Sequence, residues 1–147
     1  MEFVVRQLGT SDPVALAELF DAVLPGFSEG LATDGSGPSD FLADPAAFAF
    51  GAYVDDVPAG LAWGAQLRYP DGRLVTYLHE LDVREQFRRR RIATSLIESS
   101  MLLARRRGST RFWLSTGGQN RAAQSLYDSL EGARKPLGDV NYWWQLE

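Results

Sequence analysis

The chain has 147 residues, of which 45% are hydrophobic and 12% are aromatic. This size and apolar content predict one globular domain over residues 1–147, built around a single core. Cysteine is absent, which excludes disulfides, thiolate catalysis and cysteine-based zinc sites, and the single His79 argues against a histidine-rich metal site. There is no run of about 18 apolar residues, and the start lacks the layout of a signal peptide. We therefore expect a cytoplasmic protein that binds no metal and does not enter a membrane.

Charge is distributed unevenly along the chain. Residues 1–60 contain ten acidic residues and one basic residue, whereas residues 61–147 carry an excess of five positive charges, giving a net charge of −4. An acidic half beside a basic half suits a cationic partner and an anionic cofactor, although carboxylates dispersed over a solvated surface would give the same balance. The negative net charge, with the basic residues clustered in one turn, argues against a nucleic-acid partner.

The chain is predicted to begin with a short strand over Phe3–Leu8, followed by a helix. Ser11 or Asp12 can cap this helix, with Pro13 in its first turn. Its predicted apolar face consists of Val14, Leu16, Leu19, Phe20 and Val23. Pro25 and Gly26 end it.

Residues 25–40 are rich in Gly, Ser, Pro and acidic residues, which predicts a loop. Such a loop either shapes a binding cleft or is a plain mobile connector. A short helix is expected from Ser39 or Asp40 to about Asp44, with Phe41 and Leu42 on it.

Three strands then form an antiparallel meander over residues 48–83. Phe48–Val54 is the first strand, and the second begins near Ala59 with strict alternation of side chains. Residues 69–72 read Tyr-Pro-Asp-Gly, a hairpin turn that leads into the third strand.

The residues Thr76–Glu98 join the third strand to a helix through four consecutive arginines, Arg88–Arg91. Apolar residues then recur every three or four positions until Gly108, which predicts a helix of about four to five turns. A helix that follows a strand directly presents unpaired N–H groups and the positive end of its dipole at the rim of the sheet. Beside guanidinium groups, these N–H groups favour a phosphate ligand. A solvated arginine turn beside a core helix is the alternative.

The rest of the chain predicts a strand, a helix and a last strand. Arg111–Ser115 is apolar and follows a helix, so it is a candidate parallel neighbour of the preceding strand. Asn120 can cap the next helix, and Gly132 is expected at its C′ position. Val140–Leu146 alternates as a final strand, and its aromatic residues would also suit pairing with a second subunit in a homodimer.

The arginine turn also carries a family resemblance. The sequence VREQFRRRRIATSLI resembles the pyrophosphate loop of the GNAT superfamily of N-acyltransferases, whose pattern is Gln/Arg-x-x-Gly-x-Gly/Ala at the start of a helix. Arg88 occupies the first position and Ala93 the last, but Arg91 stands where the middle glycine is expected. Glycine there lets the backbone approach the phosphates closely, whereas another residue can still offer its N–H. The resemblance implies acetyl-CoA binding by Arg88, Arg89, Arg90, Arg91, Ile92, Ala93 and Thr94.

A second signature supports the same family. The sequence NRAAQSLYDSLEGAR resembles Asn-x-x-Ala-x-x-Leu-Tyr-x-x-Leu-Gly, with Glu131 placed before Gly132. Within the superfamily, YLHELDV and RRRIAT are most similar to the type I aminoglycoside 3-N-acetyltransferases. The implied architecture is a single-domain α/β GNAT-like fold: a mixed, mostly antiparallel central sheet of six to seven strands flanked by about four helices.

Acyl transfer from a thioester to an amine needs a base for the amine proton and an acid for the departing thiolate, but no covalent nucleophile. We predict Glu80 as the base, because it lies in an otherwise apolar strand and the subfamily it resembles has an acid at this position. In a regular strand Asp82 shares the face of Glu80 and His79 points the other way, although a bulge would re-aim them. A salt bridge from Glu80 to an arginine is the structural alternative.

Tyr127 is predicted as the acid, because a phenol with a reference pKa of about 10 is protonated at neutral pH. Its alternative role is that of a core aromatic residue. Asn120 could bind the pantetheine arm or only cap its helix. The backbone of Leu81, Asp82 and Val83 would pair with the pantetheine amides like an added strand. The four tryptophans are interpreted as core or interface residues.

The sequence thus predicts an acetyl-CoA-dependent N-acetyltransferase whose acceptor is a small cationic amine, with an aminoglycoside as the sharpest form of that prediction. Three alternatives remain: an enzyme that acetylates a protein or peptide, a catalytically silent acyl-CoA-binding regulatory module, and an arginine-mediated nucleic-acid binder.

Overall fold

A computed structural model describes residues 2–26, 36–133, 142 and 144–146. They fall into two compact units, Met1–Ser115 and Thr116–Glu147, which we describe separately. The assignment of one domain to residues 1–147 stays a prediction. Within the described ranges, no helix combines the length and the apolar content needed to cross a bilayer.

The first unit contains a sheet of five strands in the order of the chain. They are β1 (Val4–Gln7), β2 (Ala47–Val54), β3 (Val57–Arg68), β4 (Leu74–Val83) and β5 (Arg111–Leu114). Neighbours from β1 to β4 pair antiparallel, and β5 pairs parallel to β4. The predicted meander and the parallel fifth strand are therefore confirmed.

The predicted count of six to seven strands is too high for the residues that the structure describes. The sixth strand was predicted over Val140–Leu146, and most of that segment lies outside the described residues. Its described aromatic residues are exposed, Tyr142 by 77% and Trp144 by 74%, and they are not in a strand. The exposure of these residues gives no sign of a buried face formed by Tyr142 and Trp144.

Four α-helices lie in the described parts of the chain: α1 (Pro13–Val23), α2 (Gly37–Ala43), α3 (Ile92–Arg106) and α4 (Arg121–Ser129). The buried face of α1 is formed by Leu16, Leu19, Phe20 and Val23 as predicted, but Val14 is 70% exposed. Asp12 lies at the N-cap of α1, yet its carboxylate accepts the Gly9 N–H at 2.8 Å instead of capping the helix.

Helix α2 begins at Gly37, two residues before the predicted start at Ser39. Pro38 fits the first turn of a helix because its missing N–H has no partner there in any case. The loop predicted over residues 25–40 therefore ends before Gly37. Residues 27–35 of this loop lie outside the described residues.

The helices cover both faces of the sheet. Leu61 of β3 belongs to the core cluster with Leu16 and Leu19 of α1. The adjacent Gly60 faces Ile92 of α3, because a Cβ built on it would lie 3.3 Å from that side chain. Successive strand residues point to opposite faces, so α1 and α3 pack on opposite sides of β3.

A β-bulge interrupts the pairing of β3 with β4. Trp63 pairs with Glu80 and Gly64 pairs with Leu78, so that His79 is an extra residue in β4. Gly64 has no room for a side chain, since a Cβ there would lie 1.9 Å from the Tyr77 carbonyl oxygen and 2.9 Å from the Phe48 ring. Glycine is needed where two backbones approach this closely. It therefore holds the bulge in place.

The second unit contains α4, which the side chain of Asn120 caps by accepting the Ala123 N–H at 3.1 Å. The helix ends at Ser129 with Leu130 as its C-cap, and Glu131 at the C′ position has a positive φ of 63°. Gly132, predicted as the C′ residue, follows it, and its N–H donates to the Tyr127 carbonyl at 3.0 Å. The prediction was wrong by one residue because Glu131 itself adopts the left-handed conformation.

We expect Gly64→Ala to destabilise the protein by about 3 kcal/mol, because the added methyl group must displace the backbone of β4. Chemical denaturation of the variant measures this loss. Gly117→Ala is the matched control, since a Cβ at Gly117 meets nothing within 4 Å. Equal stability of the two variants would contradict the role assigned to Gly64.

Candidate active site

The last part of β4 has an edge that β5 does not cover. The parallel pairing runs from Val75 with Arg111 to Leu78 with Leu114, where β5 ends. Beyond Leu78, β4 continues to Val83 without a strand partner on that side in the described part of the chain. An open strand edge can pair with the amide groups of an extended ligand.

Glu80 lies at the bulge, next to this open edge. Its side chain is half-buried, and its Oε1 accepts a hydrogen bond from the indole Nε1–H of Trp63 at 3.0 Å. The predicted alternative, a salt bridge to an arginine, does not occur in the described residues. Arg88 instead approaches Asp82, at 3.9 Å.

The bulge changes the direction of His79. In a regular strand His79 would point away from Glu80, but its ring lies against Trp63 with centroids 4.6 Å apart. Trp63 therefore contacts both neighbours, and the expectation that His79 points the other way is wrong. The extra residue re-aims the side chains on either side of it.

Asp82 is a weaker candidate for the base. One of its oxygens, Oδ1, accepts the N–H of the next residue, Val83, at 2.9 Å and also faces the Arg88 guanidinium. The Arg88 Nε–H donates to the Val83 carbonyl at 3.0 Å. Arg88 thus contacts two residues at the end of β4. The Val83 carbonyl already accepts a hydrogen bond from this side chain.

The arginine turn contains two residues in the left-handed conformation. Arg89 has φ 63°, and Arg91, at the N-cap of α3, has φ 65°. A 3₁₀ turn over Glu85–Phe87 leads into it. The Ser95 N–H donates to the Arg91 carbonyl at 3.1 Å, so the N–H groups of residues 92–94 come before the first hydrogen bond of the helix and have no intrahelical acceptor.

The residues at the start of α3 differ in exposure. Ile92 is only 1% exposed and belongs to the core, so it can offer a ligand its backbone alone. Ala93 and Thr94 are half-buried, whereas Arg89 and Arg91 are exposed. The guanidinium of Arg90 lies 5.8 Å from the centre of the Phe87 ring. This corner combines helical N–H groups with several guanidinium groups, which together suit a pyrophosphate.

In the second unit, Tyr127 is half-buried on α4, and burial raises the pKa of its phenol above the ordinary 10.0. The phenol is therefore protonated at neutral pH. The Oδ1 of Asn120 is used by the helix cap. Binding of the pantetheine arm by Asn120 stays a prediction.

Sequence reasoning missed Trp63, which it interpreted as a core or interface residue. Its contact with Glu80 joins residues 17 positions apart on two strands. The contact could have been predicted only from the pairing register of the β3–β4 hairpin. The bulge shifts that register by one residue.

Comparison with known proteins identifies the family. The model of the acetyltransferase (GNAT) family matches residues 16–131. A search of the curated proteins found no significant match. Among solved structures, an aminoglycoside acetyltransferase, HMB0005, from an uncultured soil metagenomic sample is 25% identical, with TM-score 0.85 over 99% of this chain and 100% of its own.

Two further structures share the fold at lower identity. Aminoglycoside N-acetyltransferase AAC(6')-Iy in complex with CoA is 20% identical, with TM-score 0.77 and coverage of 99% of this chain and 96% of its own. The ribosomal-protein-alanine N-acetyltransferase of Brucella melitensis biovar Abortus 2308 is 22% identical, with TM-score 0.72 and coverage of 97% and 100%. The predicted 3-N subfamily stays a prediction. The chain belongs to the acetyltransferase (GNAT) family and is an acyl-CoA-dependent N-acetyltransferase.

Proposed function

We propose that the protein transfers the acetyl group of acetyl-CoA to a primary amine of a small cationic acceptor, with an aminoglycoside as the expected class. The observation that carries this proposal is the position of Glu80. Its carboxylate is held at the bulge of β4, beside the uncovered edge of the strand and on the same strand that leads into the arginine turn.

The residues present fit acetyl-CoA as the donor. The N–H groups of residues 92–94 and the guanidinium groups of Arg89 and Arg91 would hold the pyrophosphate. The backbone of Leu81, Asp82 and Val83 would pair with the pantetheine amides, except for the Val83 carbonyl, which already accepts a hydrogen bond from Arg88. A protein of the same fold was solved with CoA. Acetyl-CoA supplies an acetyl group already activated as a thioester.

The chain's own groups would manage the protons. Glu80 takes the proton that the amine must lose as its nitrogen bonds to the acetyl carbon. The carbon–sulfur bond breaks, and Tyr127 gives its phenolic proton to the sulfur. The products are an acetamide and the free thiol of CoA, and solvent returns the two side chains to their starting protonation states.

Two observations support a small cationic acceptor. Residues 1–60 carry nine more negative than positive charges, and the Glu80 carboxylate is in contact with the indole of Trp63. A carboxylate beside an aromatic ring attracts an ammonium group. The relative at 25% identity is an aminoglycoside acetyltransferase.

The alternative acceptor is a protein or peptide amine. The ribosomal-protein-alanine N-acetyltransferase shares the fold over nearly the whole of both chains. A CoA-binding module without turnover is the third option, since Arg91 replaces the expected glycine.

The acceptor is tested by thiol release from acetyl-CoA with a panel of aminoglycosides, polyamines and N-terminal peptides. We expect turnover on at least one aminoglycoside or polyamine and none on the peptides. Turnover on peptides alone would show that the acceptor is a protein or peptide amine. Calorimetric binding of acetyl-CoA with no turnover on any acceptor would support the silent module.

The acid–base roles predict that Glu80→Gln and Tyr127→Phe each lower kcat by about 100-fold, the lower end of the range for proton transfer. Because Tyr127 acts as an acid and its pKa is raised, its contribution is complete at neutral pH and is lost only above pH 10. Steady-state kinetics with a saturating donor measures both effects. Glu98→Gln, an exposed carboxylate on α3, is the control and keeps wild-type kcat. A larger loss in Asp82→Asn than in Glu80→Gln would contradict the choice of base.

Arg91→Gly and Arg91→Ala separate the charge of Arg91 from its strained conformation. Both remove the guanidinium, so we expect CoA affinity to fall about tenfold in each. Only glycine relieves the positive φ, so Arg91→Gly should be about 1 kcal/mol more stable than Arg91→Ala, or about 2–4 °C in Tm. Arg106→Ala, at the far end of α3, is the control for affinity. Tighter CoA binding by Arg91→Gly than by Arg91→Ala would show that close backbone approach decides affinity.

A further inference from the structure

Trp63 is the residue in closest polar contact with the proposed base. It lies directly opposite Glu80 in the β3–β4 register, and its Nε1–H donates to Oε1 at 3.0 Å. An indole N–H can only donate, and a carboxylate oxygen accepts. The bond is stronger when Glu80 is ionised, which is the state a base must have before it takes a proton.

The indole N–H occupies one oxygen of the Glu80 carboxylate and leaves the second oxygen open. No further hydrogen bond to Glu80 is found within the described residues, so Oε2 is the oxygen that can accept the amine proton. A single donor on Oε1 fixes the plane of the carboxylate without filling the lone pairs that the reaction requires.

Trp63 is itself fixed from two directions. The Phe41 ring of α2 meets it edge-on, with centroids 5.7 Å apart and an interplanar angle of 90°. The His79 ring packs against it at 4.6 Å from the bulge. The orientation of the N–H is therefore set by a helix and by the extra residue of β4 together.

We propose that Trp63 is a positioning residue of the acetyl transfer, which holds the Glu80 carboxylate by its indole N–H so that Oε2 faces the acceptor amine. This inference rests on the proposed function. It adds a residue of β3 to the site. It also assigns the aromatic cluster of Phe41, Trp63 and His79 a role in catalysis in addition to packing.

The test is a double-mutant cycle on kcat with Trp63→Phe, Glu80→Gln and the combined variant. We expect Trp63→Phe to lower kcat about tenfold and to leave the KM for acetyl-CoA within about twofold of the wild-type value, because Trp63 is not among the residues proposed to bind the donor. In the Glu80→Gln background the same change should alter kcat by less than about twofold, since the group it positions is no longer a base.

Two controls separate positioning from packing. Phe50→Leu removes a buried ring next to the α3 face of the sheet and should lower Tm without lowering kcat. Site-specific replacement of Trp63 by 3-benzothienylalanine keeps the ring size and substitutes sulfur for the N–H, and it should lower kcat as much as Trp63→Phe.

Wild-type kcat in the benzothienylalanine variant, or an equal effect of Trp63→Phe in both backgrounds, would overturn the role of Trp63 while leaving the enzyme assignment intact. Wild-type kcat in Glu80→Gln would instead overturn the choice of base, and with it the positioning role. Absence of turnover in the wild-type protein on every acceptor would overturn both proposals.

Discussion

The contact between the Gly64 position and the backbone of β4 determines the geometry of the candidate site. Because Gly64 has no side chain, the two strands can approach closely there, and β4 contains one extra residue, His79, at this point. That extra residue places Glu80 opposite Trp63 and turns the His79 ring toward the same indole. A hydrogen bond to a charged group contributes about 1.5–3 kcal/mol, so this register, once formed, also stabilises the orientation of the carboxylate.

Both departures from the family motifs occur where the backbone has a positive φ. Arg91 and Glu131 stand at positions where the two signatures have glycine, and their φ values are 65° and 63°. Each left-handed non-glycine residue costs about 1–2 kcal/mol. In both places a non-glycine residue holds a conformation that glycine adopts at lower cost, so the interactions at the start of α3 and at the end of α4 must offset that cost.

Periodicity predicted much of this fold because most of its elements are amphipathic. The buried face of α1, the antiparallel meander and the parallel β5 could all be inferred from the spacing of apolar residues and from turn chemistry. The contact between Trp63 and Glu80 could not, because it depends on a bulge created by a close approach of two backbones. The strand predicted over residues 140–146 stays a prediction for the most part, because only residues 142 and 144–146 of it are described, and the described Tyr142 and Trp144 are exposed.

Two kinds of charge lie close together at the end of β4. Glu80 and Asp82 are carboxylates, whereas the chain from Arg84 through Arg91 is rich in guanidinium groups. Strand residues rise by about 3.3 Å each, so the change of sign from Asp82 to Arg84 takes place within about 7 Å of chain. Arg88, at 3.9 Å from Asp82, stands at the boundary and partly neutralises that carboxylate. The Glu80 carboxylate accepts a hydrogen bond from a neutral indole and has no arginine partner in the described part of the chain, which suits the cationic acceptor proposed above.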